Sequence, residues 1–159
     1  MKILVADGVS PKGIEILQKA GFETVIKDKL PAEELLEIIP DFDGLIVRSA
    51  SKVTKEVIER AKKLKIVGRA GVGTDNIDIN AATAHGIMVI NSPGGNTIAA
   101  TEHTMGMMMA MARNIAVANE TMQHGEWNRK KYTGVELRGK TLGVIGLGRI
   151  GSGVATRAL

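Results

Sequence analysis

The sequence predicts an α/β protein: a parallel sheet with helices on both faces, followed by the start of a second α/β domain. Short apolar runs recur at a steady interval through residues 1–95 and alternate with segments that carry helix start and stop signals. A glycine-rich stretch follows another apolar run near residue 145. Alternating strands and helices are typical of a parallel sheet, because each crossover lays a helix on one of its faces.

Five short runs of aliphatic residues are predicted to be the strands. They are Ile3–Val5, Thr24–Ile26, Leu45–Val47, Ile66–Val67 and Met88–Ile90. Helix start signals lie between them, at Ser10-Pro11, Pro31, Thr54 and Asp78. Residues 1–95 are therefore predicted to form a flavodoxin-like, doubly wound domain, and Ser92–Gly95 is the predicted boundary, since proline and paired glycine interrupt regular structure.

Residues 96–159 are predicted to begin a Rossmann dinucleotide-binding domain. A long helix is expected from Thr97 to about Ala118, a second to about Gly125, and a polar irregular segment to Gly139. Methionines occur on all sides of the long helix, which predicts burial on more than one side. They are residues 105, 107, 108, 109 and 111.

A G-x-G-x-x-G fingerprint gives the second domain its predicted function. Leu142–Ile145 is predicted to be a short buried strand, and Gly146, Gly148 and Gly151 follow it with the spacing that admits a pyrophosphate to a helix N-terminus. The acidic residue that reads the ribose in such sites is expected ~20 residues further along. We therefore expect the chain to be a fragment whose dinucleotide-binding domain is incomplete.

Composition excludes several classes of protein. The chain has 159 residues, no cysteine and a net charge of +4. The absence of cysteine excludes thiolate metal sites, and no metal is expected. It also agrees with a location in the reducing cytoplasm. No apolar tract is long enough to span a bilayer. The basic residues are dispersed, so neither a membrane nor a nucleic acid is an expected partner.

Two arginines are predicted to lie at the edge of the first sheet where ligands bind. Arg48, with Ser49 after it, ends the third predicted strand, and Arg69 ends the fourth. The loop Gly71-Val72-Gly73 can expose successive backbone N–H groups. Because an arginine fork suits carboxylate or phosphate, this arrangement predicts an oxyacid substrate.

Three segments resemble the D-2-hydroxyacid dehydrogenases: Gly44–Val53, Val67–Asp78 and Leu142–Gly151. Residues 91–103 are similar to the interdomain crossing of that family, with Ala100-Thr101 where many members have Val-Ala. The resemblance runs in order through the whole chain. It implies NAD-dependent oxidation of a small anionic 2-hydroxy acid by a homodimer or larger homo-oligomer, with 3-phosphoglycerate as the expected substrate in serine biosynthesis.

The resemblance also implies roles for individual residues. Substrate would contact Arg48, Ser49, Arg69, Gly71, Val72, Gly73 and Asn96. NAD would contact Val72, Gly146, Gly148, Arg149, Ile150 and Gly151. The family's catalytic histidine would come after Leu159, so no catalytic residue is assigned, and His85, His103 and His124 are interpreted as structural or solvated.

Two alternatives stay open at this point. A sibling 2-hydroxyacid dehydrogenase, such as a glyoxylate or hydroxypyruvate reductase, would share nearly every one of these motifs. A non-enzymatic NAD-sensing or assembly module is the second alternative, because a fold does not fix a function.

Overall fold

A computed structural model describes all 159 residues of the chain. The chain divides into two compact units, Met1–Gly95 and Asn96–Leu159. The first unit contains a sheet and four α-helices, and the second contains three α-helices and no strand.

The first unit is built on a five-stranded sheet, and every strand pair in it is parallel. The strands are β1 (Lys2–Val5), β2 (Glu23–Ile26), β3 (Gly44–Val47), β4 (Ile66–Arg69) and β5 (Met88–Asn91). Their order is β2-β1-β3-β4-β5, which is the flavodoxin-like order. The predicted fold class is confirmed.

The helices of this unit begin where their caps predict. They are α1 (Pro11–Lys19), α2 (Ala32–Ile38), α3 (Lys55–Arg60) and α4 (Ile79–Ala84), and a 3-10 turn at Ile39–Asp41 follows α2. The side chains of Ser10, Thr54 and Asp78 each accept a hydrogen bond from a backbone N–H in the first turn. Such bonds satisfy amides that have no partner within the helix.

The two faces of the sheet are covered unequally. Leu4, Leu45 and Val67 point to the face on which α2, α3 and α4 pack, and this side forms the main core. Ile3 and Val5 point to the other face, where Ile14 of α1 covers them. Beyond α1 this second face forms an apolar groove of about 550 Å³, lined by residues that include Ile46, Ile66 and Ile90.

The second unit consists of α5 (Thr97–Ala112), α6 (Ile115–Gln123) and α7 (Arg149–Ala158). Helix α5 packs against both α6 and α7. The predicted extension of the long helix to Ala118 is wrong. Asn114 adopts a left-handed conformation (φ 53°) that ends α5 and starts α6.

Two further predictions about the second unit are wrong. Leu142–Ile145 forms no strand, and the Ile145 side chain is fully exposed. A parallel strand needs a neighbour to accept its hydrogen bonds, and this unit contains no other strand. Thr101 is the one buried residue of α5, while Met107, Met109 and Met111 are exposed, so the methionines do not bury several sides of this helix within the unit.

Candidate functional site

The carboxyl edge of the first unit's sheet brings both predicted arginines onto adjacent strands. Strands β3 and β4 are neighbours, with Val47 opposite Arg69. Arg48 follows directly after Val47, so the two arginines leave the sheet at the same edge. This is the edge at which open α/β sheets bind their ligands.

Neither arginine is neutralised by the protein itself. Arg48 and Arg69 are absent from the ion pairs of this chain. The Arg48 Nη1 donates to the carbonyl of Gly8 at 3.3 Å. The Nε of Arg69 is buried and has no hydrogen-bond acceptor. Both guanidinium groups thus keep N–H groups that no acceptor in the chain takes.

The loop after β4 holds free amide donors beside Arg69. The Gly71 amide donates to the Arg69 carbonyl at 2.8 Å, whereas no acceptor in the chain takes the amides of Val72 or Gly73. Of the three amides expected to bind a substrate, only those of Val72 and Gly73 are therefore free of an internal hydrogen bond. The end of β5 fixes the loop, since the Asn91 Nδ2 donates to the Val72 carbonyl at 2.6 Å.

Sequence reasoning missed a buried carboxylate at the same edge. Asp7 follows β1 and is only 4% exposed. Its carboxylate accepts from the Arg48 amide at 2.6 Å, the Ser51 amide at 3.1 Å and the Ser51 Oγ at 2.7 Å. An acidic residue directly after an apolar strand was the available signal, because a charge is seldom buried without partners.

The pKa of Asp7 reflects these contacts. Burial raises the pKa of this carboxyl, but the hydrogen bonds from the Ser51 side chain and from the amides of Ser51 and Arg48 outweigh burial and hold the pKa below its usual 3.8. Asp7 is therefore an ionised acceptor at neutral pH.

Asn76 was also missed, and it binds the carbonyl groups of the same loop. Its Nδ2 donates to the carbonyls of Arg48 at 2.7 Å and Ser51 at 2.6 Å.

Two other predicted site residues make fewer contacts. Ser49 is exposed, and Asn96 is an exposed residue of the second unit that precedes α5 without a side-chain cap.

In the second unit the fingerprint glycines form a turn into α7. Gly146 has a φ of 90°, a conformation that favours glycine. Gly148 is the N-cap of α7, and nothing lies within 4 Å of where its side chain would be. A side chain at Gly151 would overlap the Gly146 carbonyl. Arg149 and Ile150 are the first residues of the helix.

None of the three histidines is placed with an acidic partner. The Nδ1 of His85 lies 2.9 Å from the Ala81 carbonyl, and that of His124 lies 2.8 Å from the Glu120 carbonyl, each within its own helix region. His103 is exposed on α5.

No group of three or more acidic, histidine or cysteine side chains is arranged around a metal position. None of the helices has the length and apolar character that a membrane crossing requires.

Comparison with known proteins identifies the class. The family model for the D-isomer specific 2-hydroxyacid dehydrogenase catalytic domain matches residues 3–156. The chain belongs to this family.

Individual relatives narrow the comparison. The chain is 54% identical to the D-3-phosphoglycerate dehydrogenase of Archaeoglobus fulgidus and 55% identical to that of Methanocaldococcus jannaschii, in each case over 99% of this chain and 30% of the relative. The chain thus spans about a third of the length of these relatives. It also matches the NAD⁺-bound 3-phosphoglycerate dehydrogenase structure from Entamoeba histolytica, with a TM-score of 0.78 and 38% identity over 99% of this chain and 50% of that one.

Proposed function

We propose that the complete protein oxidises 3-phosphoglycerate to 3-phosphohydroxypyruvate with NAD⁺, the first step of L-serine biosynthesis. The observation that carries this proposal is the pair of unneutralised arginines, Arg48 and Arg69, on adjacent strand ends beside two free amides. Two cations and two amide donors suit a small acid with two anionic groups. Relatives of this chain carry the name of that activity.

The first unit is the proposed substrate-binding domain, residues 1–95. The amides of Val72 and Gly73 would hold the carboxylate, and Arg48 and Arg69 would hold the remaining negative charge. Ser49 and Gly71 of this unit are further proposed contacts, and Asn96, the first residue of the second unit, is proposed as one more. Because guanidinium groups bind oxyanions through paired donors, this set orients the acid as well as attracting it.

Residues 96–159 are the proposed beginning of an NAD-binding domain. The open space beside Gly148, the N-terminus of the ten-residue α7 and the sharp turn at Gly146 fit a bound pyrophosphate. Gly146, Gly148, Arg149, Ile150 and Gly151 would hold NAD, and Val72 would lie near its nicotinamide. When bound, NAD supplies the acceptor for the hydride that leaves the hydroxyl-bearing carbon.

The proton of the substrate hydroxyl needs a general base that this chain does not provide. The Nδ1 atoms of His85 and His124 face carbonyls of their own helices, and His103 lacks an orienting partner. A base requires hydrogen-bond reach to the hydroxyl. We therefore place the catalytic histidine in the rest of the complete protein and expect residues 1–159 alone to be inactive.

The complete protein is proposed to be a cytoplasmic homodimer or larger homo-oligomer. Helices α5 and α6 expose many large apolar side chains for one small unit. They include Met107, Met109, Met111, Ile115, Val117 and Met122. Exposed apolar surface of this kind marks protein–protein contact sites, and the absence of cysteine fits a reducing compartment.

The test is a substrate comparison with the complete protein. NADH formation would be followed with 3-phosphoglycerate, unphosphorylated glycerate and D-lactate. Turnover confined to 3-phosphoglycerate supports the proposal. Turnover of an unphosphorylated acid would assign a sibling dehydrogenase, and NAD binding without any turnover would favour a sensing or assembly module.

A further inference from the structure

Asp7 has no role in the proposed reaction, yet it is the most heavily hydrogen-bonded carboxylate at the candidate site. All three of its bonds come from the loop that follows β3: from the Arg48 amide, the Ser51 amide and the Ser51 hydroxyl. Asp7 follows the carboxyl end of β1 and lies 41 residues before Arg48 in the sequence. The carboxyl ends of β1 and β3 are thereby joined through a side chain.

Asn76 makes further hydrogen bonds to this loop. Asp7 takes the loop's N–H groups, and the Asn76 Nδ2 donates to its carbonyls, those of Arg48 and Ser51. Because both of those partners are acceptors, the orientation of the Asn76 amide is fixed. Asn76 itself lies in the loop between β4 and α4, five residues after Gly71.

Both hydrogen-bonding groups of the Arg48 peptide are consequently held by side chains. The Arg48 N–H is bound by Asp7 and its carbonyl by Asn76, at 2.6 and 2.7 Å. This fixes the backbone from which the guanidinium extends. It also ties the position of Arg48 to the loop that presents the Val72 and Gly73 amides.

We propose that Asp7 and Asn76 are positioning residues, which set the distance between the Arg48 guanidinium and the amides of the Val72 loop and so determine affinity for the acid. This inference rests on the proposed function. It assigns Asp7 an action through Arg48, without contact with the substrate. A small misplacement of a binding group lowers the rate and the affinity, since correct orientation of the substrate accounts for much of an enzyme's rate acceleration.

The test uses the complete protein and the Asp7→Asn variant, which keeps the shape of the side chain but replaces one acceptor oxygen by a donor. The KM for 3-phosphoglycerate should rise by about tenfold or more, the effect of losing hydrogen bonds to a charged group. The KM for NAD⁺ should stay within about twofold, because orientation of the acid is what changes. A parental KM for the acid would overturn the inference.

Asp43→Asn is the matched control. The Asp43 carboxylate also accepts one strand amide, that of Lys2 at 2.8 Å, from a residue 41 positions away. It lies at the amino edge of the sheet, before β3, far from the arginine edge. Asp43→Asn should therefore leave both KM values unchanged, and a rise equal to that of Asp7→Asn would reduce Asp7 to a general structural role.

A double-mutant cycle separates positioning from stability. If Asp7 acts through Arg48, then Asp7→Asn should add little to the KM of Arg48→Ala, since the group being positioned is gone. An equal rise in KM in both backgrounds would contradict the inference.

Ser51→Ala provides a milder variant should Asp7→Asn fail to fold. It removes one of the three bonds and should raise the KM for the acid severalfold without changing the KM for NAD⁺. An unchanged KM for the acid in a folded Ser51→Ala protein would count against the inference. Absence of turnover in the parent protein would instead defeat the proposed function, so the two failures are distinguishable.

Discussion

The guanidinium of Arg69 occupies the space that a side chain at position 71 would need. A methyl group at Gly71 would lie 2.7 Å from the Arg69 Cζ and would overlap its Nη1. The arginine therefore turns back along its own loop, over the backbone of Gly71. Gly71 is required here for the room it leaves, in addition to the proposed contact with substrate.

Gly71→Ala should displace the Arg69 guanidinium. We expect the KM for 3-phosphoglycerate to rise about tenfold, the value of one charged hydrogen bond, with a small change in stability because the loop is partly exposed. Steady-state kinetics with the complete protein measures this effect. Gly68→Ala is the control, because its methyl group would make ordinary contacts of 3.7 and 3.8 Å with Ile46 and Ile90. Equal kinetics for Gly71→Ala and the parent would mean that the position of Arg69 is unimportant.

Removal of either arginine should weaken substrate binding selectively. Arg69→Ala and Arg48→Ala should each raise the KM for 3-phosphoglycerate by about 10- to 100-fold, the range for hydrogen bonds to charged groups. The affinity for NAD⁺, measured by fluorescence titration, should be unchanged. Arg60→Ala is the control, because Arg60 pairs with Glu56 on the exposed surface of α3. A parental KM in Arg69→Ala would reject the role of that residue.

The stability of the protein should depend on pH through Asp7. Its pKa is lowered in the folded state, so the ionised form stabilises the fold above the usual pKa of 3.8. This contribution is lost as the pH falls through the lower folded-state pKa. Asp7→Asn should cost about 1–3 kcal/mol at pH 7, as expected for unsatisfied buried donors. The difference between parent and variant in urea unfolding should shrink below about pH 4. A difference that is constant from pH 7 to pH 3 would contradict this assignment.

Sequence reasoning succeeded where structure depends on neighbouring residues in the chain. The caps at Ser10, Thr54 and Asp78 act within one helical turn, so their effect is visible in the sequence. The Leu142–Ile145 strand was predicted wrongly, because a strand depends on partners elsewhere. The break between α5 and α6 was predicted too late in the chain, at about Ala118 instead of Asn114, since asparagine is a weaker stop signal than glycine.

In the candidate site, too, features that depend on neighbouring residues were predictable and contacts between distant residues were not. Arg48 and Arg69 were predictable because each ends an apolar run, and the carboxyl edge of a parallel sheet is a known binding position. The place of Asp7 after an apolar strand was a signal of a buried carboxylate, but the partners of Asp7 and Asn76 were not predictable, because their bonds to the Arg48 loop span 41 and 28 residues. No local pattern reports a contact at such a separation.

Close packing between α5 and α7 should be visible in stability. A methyl group at Gly153 would lie 2.7 Å from the Oγ1 and 3.2 Å from the Cγ2 of Thr101, which is buried. Gly153→Ala should therefore destabilise the protein by about 1–3 kcal/mol through overpacking. In a Thr101→Ala background the same change should become stabilising, because alanine favours a helix over glycine by about 1 kcal/mol. Chemical denaturation measures both, and the same sign in both backgrounds would refute the contact.

The complete protein should have a solution mass of at least two chains. The exposed methionines of α5 and the apolar side chains of α6 are the expected contact surface. Light scattering gives the mass directly, and Met111→Lys should shift it toward one chain, since a buried charge without a partner is costly. A mass of one chain for the parent would reject the proposed assembly.

The strand order β2-β1-β3-β4-β5 has a consequence for synthesis on the ribosome. Once β1 has emerged, β2 joins one side of it and β3 the other, and β4 and β5 then join the growing edge in turn. No later strand has to be inserted between two that are already paired. Because domains fold as units and N-terminal domains fold first during synthesis, residues 1–95 can complete this sheet before the second unit has been synthesised.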